Sequence, residues 1–225
     1  MIMKKRIINN TIELEWGNIL NTSKFEGDDV WGSNENGDIC SLILTMTGKE
    51  ETGSNFLKIE DSGINLSANN FTALKRKSFY TESKRQYFSD NKILFDYRVN
   101  QTAFDLSELK TKVLNDNVVA FFNNDNELEF LMLMGVFSFD FYPNSLKDEP
   151  IKLNNLNLPL KEQLWEFYIM SCLYQYDCSL SEYKNAIQKG EILLKKDGLD
   201  KSILKFIETN IEFWKEIIED EFDGY

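Results

Sequence analysis

The sequence contains no histidine. That removes every Ser-His-Asp and Cys-His mechanism confined to one chain. It also removes mixed Cys/His zinc sites and His-ligated iron. Proton transfer and nucleophilic chemistry are left to carboxylates, Lys, Tyr and Cys. Cysteine is scarce: Cys40, Cys172 and Cys178 are the three present, and none forms a CxxC pair. An odd count without that spacing argues against a disulfide framework or a zinc knuckle. Reduced thiols fit the cytoplasm. No apolar run approaches the length of a membrane span. The start, MIMKKRIINNTIELEW, is basic, but Asn9, Asn10 and Thr11 interrupt it at once. A signal peptide is therefore not expected. Neither a phosphate-binding Walker loop nor a GxGxxG fingerprint occurs.

Positive charge is also short. The 25 Lys and Arg face 37 Asp and Glu, for a net charge of -12. Such a surface repels nucleic-acid phosphates and anionic lipid, and it favours basic partners.

The apolar content is substantial. Of 225 residues, 42% are hydrophobic and 13% aromatic, enough for a real core and too much for a disordered chain. The three prolines, Pro143, Pro150 and Pro159, share one window, PNSLKDEPIKLNNLNLP. Its proline, asparagine and lack of periodicity mark a connector. Before it, apolar segments are short and often alternate; after it, they recur at helical spacing. No internal repeat is evident in the residues. The expected fold is α+β: an N-terminal mixed or antiparallel sheet with a helix over 1–142, a connector over 143–159, and about three helices over 160–225.

Within the N-terminal part, TIELEW (11–16), ICSLILTMT (39–47), NFLKIE (55–60) and KILFDYRV (92–99) read as strands. DDVWGSNENGD, ahead of the second of these, reads as turn-rich. DLSELKTKVLN (105–115) reads as a helix, with Asp105 and Glu108 in capping-box spacing. VVAFF and LEFLMLM, separated by Asn123–Asn126, read as a hairpin apolar on both faces and so covered on both. VFSFDFY alternates, with Phe137, Phe139 and Phe141 on one face. LKEQLWEFYIMSCLYQY (160–176) reads as a buried helix. Ser179 with Glu182 opens a second, which Gly190 should weaken or divide. The last, from about Asp200 to Phe222, carries an apolar stripe of Ile203, Ile207, Ile211, Trp214, Ile218 and Phe222.

No constellation is readable as catalytic, and no cofactor or metal is implied. NNDNELE (123–129) lacks the glycine and glutamate spacing of an EF-hand loop. The acidic pairs Asp28-Asp29, Glu50-Glu51 and Glu60-Asp61 would point to opposite faces of a strand. One basic island exists: Lys75, Arg76, Lys77, Lys84 and Arg85, interleaved with Phe79, Tyr80, Tyr87 and Phe88. Cations and rings together suit single-stranded nucleic acid, yet the net charge opposes it. The last helix holds the informative conflict. Glu208, Glu212, Glu216 and Asp220 recur four apart, and Glu219 crowds the same end. Each like-charge pair costs about 0.2–0.5 kcal/mol, and carboxylates at a helix C-terminus oppose the macrodipole. Such conflicts can mark function.

The expected function is thus a cytoplasmic, non-enzymatic, acidic protein that engages a basic protein partner through these carboxylates. One concrete form is an immunity or inhibitor protein that neutralises a toxin. The alternatives are a carboxylate- or metal-dependent hydrolase with an unreadable site, and a nucleic-acid-associated factor using 75–88. A membrane is not among the expected partners; a homo-oligomer is compatible with the composition.

Overall fold

A computed structural model of the chain describes residues 4–26, 29–46, 85–89, 91–98, 106, 109–143, 150–173 and 178–222. The fold is α+β, with two sheets followed by three helices. A mixed six-stranded sheet has the order β11-β1-β2-β5-β4-β3, and a five-stranded antiparallel sheet has the order β6-β7-β10-β9-β8. The strands are β1 (Lys4–Ile8), β2 (Thr11–Glu15), β3 (Asn21–Glu26), β4 (Asp29–Ser33), β5 (Ile39–Thr45), β6 (Arg85–Ser89), β7 (Lys92–Asp96), β8 (Lys110–Asn115), β9 (Val118–Phe122), β10 (Leu128–Met134) and β11 (Asp140–Tyr142). The helices are α1 (Leu158–Leu173), α2 (Leu180–Leu193) and α3 (Lys201–Glu221). No helix among the described residues is long and apolar enough to cross a membrane.

The chain divides into two compact units: Met1–Lys4 with Ile12–Val136, and Lys5–Thr11 with Phe137–Tyr225.

The first unit is β-rich. Alternation in TIELEW buries Ile12, Leu14 and Trp16, as a strand with one face inward requires. The expected hairpin is present: β9 pairs antiparallel with β10, Leu131 opposite Ala120 and Leu133 opposite Val118. β10 is central, with β7 on its other side, and all five residues of β9 are buried. The loop Asn123–Glu127 is held by Asn123, whose Oδ1 accepts from the Asp125 and Glu127 amides, both at 3.0 Å.

Two expectations fail here. Lys110–Asn115 is a strand, not part of a helix; it pairs along its length with β9, Thr111 opposite Phe121 and Val113 opposite Val119. Cross-strand hydrogen bonds and the packing of Val113 outweigh the capping-box spacing. Asp29–Ser33 is also a strand rather than a turn. Only Asn34–Asp38 turns, with Gly37 at φ 81°. Gly32 is required inside β4, because a Cβ there would lie 2.3 Å from Ser41 Oγ. NFLKIE lies outside the described residues.

Where the chain passes from the first unit into the second, VFSFDFY is not one strand. Gly135 at φ 69° is followed by a 3-10 turn, Val136–Ser138, and only Asp140–Tyr142 is extended, parallel to β1. Phe137, Phe139 and Phe141 are still buried. The proline-rich segment contributes buried Ile151, bridged to Phe141. α1 opens at Asn157, whose Oδ1 accepts from the Leu160 amide at 3.1 Å. Pro159 sits in the first turn, where no N–H is needed. Around α1 the aromatic rings interlock: Phe141 with Trp165 at 5.4 Å and Tyr168 at 5.1 Å, and Phe167 with Trp214 at 5.4 Å.

α2 carries the expected capping box, with the Glu182 carboxylate accepting from the Ser179 amide at 2.7 Å. Gly190 does not divide it. The helix runs through, and the glycine is a point of close approach to Ile211 of α3 and Phe167 of α1.

Candidate partner-binding face

α3 is built as its pattern demands. Asp200 caps it, accepting from the Ile203 amide at 2.9 Å, and this satisfies one of the free N-terminal donors. Ile203, Phe206, Ile207, Ile211, Trp214 and Ile217 are buried. The stripe therefore turns slightly from the expected one: Ile217 is buried where Ile218 and Phe222 are half-buried. Burying this stripe holds the helix whatever its outer face carries.

On that outer face Glu208, Glu212, Glu216, Glu219 and Asp220 are all exposed. The structure thus brings the five carboxylates together on one solvent side of one helix. Lys201 and Lys205 are exposed at the opposite, N-terminal end. The first turn holds no acidic residue and the last turn no basic one. At the N-terminal end the Asp200 cap suits the macrodipole and Lys201 opposes it, while the terminal carboxylates add to its negative end. Lys215 is drawn aside to Glu191 of α2 at 3.6 Å, with both side chains about half exposed. Such a pair contributes at most about 1 kcal/mol. The basic island is not available for comparison: Lys75, Arg76, Lys77 and Lys84 lie outside the described residues, and Arg85 is described only as backbone of β6.

Three polar clusters went unread in the sequence. Asp29, almost wholly buried, accepts from the Thr45 amide and from the Tyr97 hydroxyl, both at 2.8 Å. Asp96, also buried, takes a forked pair of hydrogen bonds from Arg98, at 2.9 and 2.8 Å. The Arg98 guanidinium lies 4.6 Å from the centre of the Phe130 ring. Both carboxylates are engaged as buried carboxylates must be. In the second unit the Asn9 carbonyl accepts from the Tyr168 hydroxyl at 3.0 Å and the Cys172 thiol at 3.1 Å. Burial pushes the Cys172 thiol up to about 12, partly offset by hydrogen bonds with Tyr168 and Ser171. Burial and the neighbouring Cys172 push the Tyr168 hydroxyl up as well. Burial likewise raises the Cys40 thiol, with Glu15 and Asp38 adding to it. Protonated thiols of this kind are weak nucleophiles. A polar residue within an apolar strand, as in KILFDYR, was the available signal for Asp96. Its partner Arg98 follows two residues later, close enough to fold back on it.

Among the described residues, no three His, Cys, Asp or Glu side chains are grouped to hold a metal ion. No protein family, curated protein or solved structure matches the chain.

Proposed function

We propose that the protein is a non-enzymatic binding protein of the cytoplasm whose acidic α3 face engages a basic protein partner. In its most concrete form it is an immunity or inhibitor protein that covers the substrate site of a toxin. The observation that supports this reading is the outer face of α3. Five exposed carboxylates line one side of the helix, Glu216, Glu219 and Asp220 of them toward the end where the dipole already disfavours them, and Lys215 turns away to Glu191. A helix selected for its own stability would carry the opposite polarity. A cationic partner meeting this end gains from both the side chains and the dipole. Long-range attraction would raise its association rate more than its final affinity.

The test combines genetics with kinetics. Co-expression with the protein encoded beside its gene should restore growth if that neighbour is a toxin, and the purified pair should bind. A variant with Glu208→Gln, Glu212→Gln, Glu216→Gln and Asp220→Asn should be as stable as the parent or slightly more so. Its association with the neighbour should be slower and less salt-dependent. Unchanged association across a salt series would refute the assignment of the face. A loss of stability in the free variant would show that the carboxylates pair within the chain instead.

A further inference from the structure

We infer that β1–β5 and β6–β10 are two copies of one five-strand unit, repeated in tandem and since diverged at most positions. Each copy is a hairpin followed by a three-strand meander. The strand lengths are 5, 5, 6, 5 and 7 residues in the first copy and the same five values in the second. The orders coincide: β1-β2-β5-β4-β3 answers to β6-β7-β10-β9-β8. In both, the last strand of the meander returns beside the second strand of the hairpin. In the hairpins Lys4 answers to Arg85 and Thr11 to Lys92, a shift of 81 positions. In the meanders Asn21 answers to Lys110, Asp29 to Val118 and Ile39 to Leu128, a shift of 89 positions.

The irregularities coincide too, and regular strands alone would not require that. The register slips between Lys24 and Glu26 in the first copy and between Val113 and Asn115 in the second. In the next hairpin Ser33 pairs with Ile39, and Phe122 with Leu128. The amide after the second strand bonds the second residue of the fifth: Trp16 to the Cys40 carbonyl at 2.9 Å, Tyr97 to the Glu129 carbonyl at 2.8 Å.

The loops are superposable in their bonding. Asn34 Oδ1 accepts from the Asn36 and Asp38 amides at 2.9 and 3.0 Å, and Asn34 Nδ2 donates to the Asp38 carboxylate at 3.2 Å. Asn123 Oδ1 accepts from the Asp125 and Glu127 amides at 3.0 Å, and Asn123 Nδ2 donates to the Glu127 carboxylate at 3.0 Å. The fourth residue is left-handed in each, Gly37 at φ 81° and Asn126 at φ 61°. Bulges behave as designed features rather than accidents, so a shared set of them at one pair of shifts points to one ancestral unit.

The copies diverge where a physical reason can be read. One face stays apolar in both: Ile12, Leu14, Leu42 and Leu44 answer to Ile93, Phe95, Leu131 and Leu133, all buried. On the other face the second copy holds a core cluster of Leu94, Val119, Phe121, Phe130 and Met132, against which Leu106 and Leu109 pack. The first copy has Glu13, Val30, Gly32, Ser41 and Ile43 at those positions, and Ile43 is 39% exposed. The connection supplying Leu106 and Leu109 spans 97–109, against 16–20 in the first copy. The longer connection and the apolar face go together: one covers the other.

The test is a saturation substitution scan of the full chain, read as cellular abundance. Tolerance profiles of 4–45 and 85–134 should correlate best at a shift of 81 in the hairpins and 89 in the meanders. The pairs Ile12/Ile93, Leu14/Phe95, Leu42/Leu131 and Leu44/Leu133 should lead. Registers displaced by two residues, which keep the same alternation, should correlate less well; equal correlation there overturns the inference. A second experiment exchanges the loops, placing NNDNE at 34–38 and NENGD at 123–127 of the full chain. Both exchanges should melt cooperatively within about 3 °C of the parent. A drop as large as that of Asn34→Ala or Asn123→Ala in either exchange also overturns it.

Discussion

Replacing Gly190 by alanine sets two effects of opposite sign against each other. In an exposed helix interior the change would stabilise by about 0.5–1 kcal/mol, through reduced backbone entropy in the unfolded chain. Here the new Cβ would stand 2.8 Å from Ile211 Cγ1, 2.8 Å from Ile211 Cδ1 and 2.8 Å from Phe167 Cε2. Real Cβ atoms do not approach carbon so closely. Ile211 Cδ1 can swing aside, but Cγ1 is fixed by its branch point, and Phe167 is wholly buried against Phe206 at 5.7 Å and Trp214 at 5.4 Å. Overpacking of this kind costs about 1–3 kcal/mol, so it wins, and the expected net loss is about 0.5–2 kcal/mol. Urea unfolding of Gly190→Ala should show a lower midpoint with an unchanged slope. Adding Ile211→Val removes Cδ1, one of the three clashing atoms. The double variant should therefore lose less than the sum of the single losses, a coupling that a double-mutant cycle isolates. A gain in stability for Gly190→Ala, or strict additivity with Ile211→Val, would refute the close approach of α2 to its neighbours.

Phe130→Ala or Leu131→Ala should each lose about 2–5 kcal/mol in chemical denaturation, since both side chains are buried in the central strand β10. Ser179→Ala should cost about 1 kcal/mol by removing the cap of α2. The Glu182 carboxyl is held below its usual range by the Ser179 side chain, and then by its backbone amide. Its contribution is therefore present above the ordinary carboxylate range and is lost as pH falls through the lowered value, so Glu182→Gln should flatten the acid limb of a stability–pH curve. Cys172 acts in the opposite sense. Its thiol rises from 9.0 to about 12 in the folded chain, so its contribution is complete below 9.0 and is lost as pH climbs toward 12. Between those values only the unfolded chain gives up the proton, and Cys172→Ala should reduce that alkaline loss in urea melts; native Cys172 should also resist alkylation near neutral pH.

Local information settled several elements from the residues alone. Ser179 with Glu182, Asp200 ahead of an apolar stripe, and asparagine-rich residues between two apolar runs each encode their structure within a few positions. α2, α3 and the β9–β10 hairpin follow from them. The carboxylates of α3 were legible as a group for the same reason, because a helix places residues four apart on one side. Other outcomes needed partners distant in sequence. Lys110–Asn115 carries helix-compatible residues, and it is the neighbouring β9 that makes it a strand. Gly190 weakens an isolated helix, and only the nearness of Ile211 and Phe167 turns it into a packing requirement. The tandem copies share few identical residues, among them Ile12/Ile93, Asn34/Asn123, Leu42/Leu131 and Leu44/Leu133, too scattered to be read without the strand register. Their common register is held by backbone hydrogen bonds, bulges and two asparagine loops, and a sheet accepts nearly any side chain that keeps to the right face. Chemistry on the second face diverged with the connection beside it: Leu106 and Leu109 pack on the apolar face of the second copy, whereas Ile19 lies against Gly32 in the first.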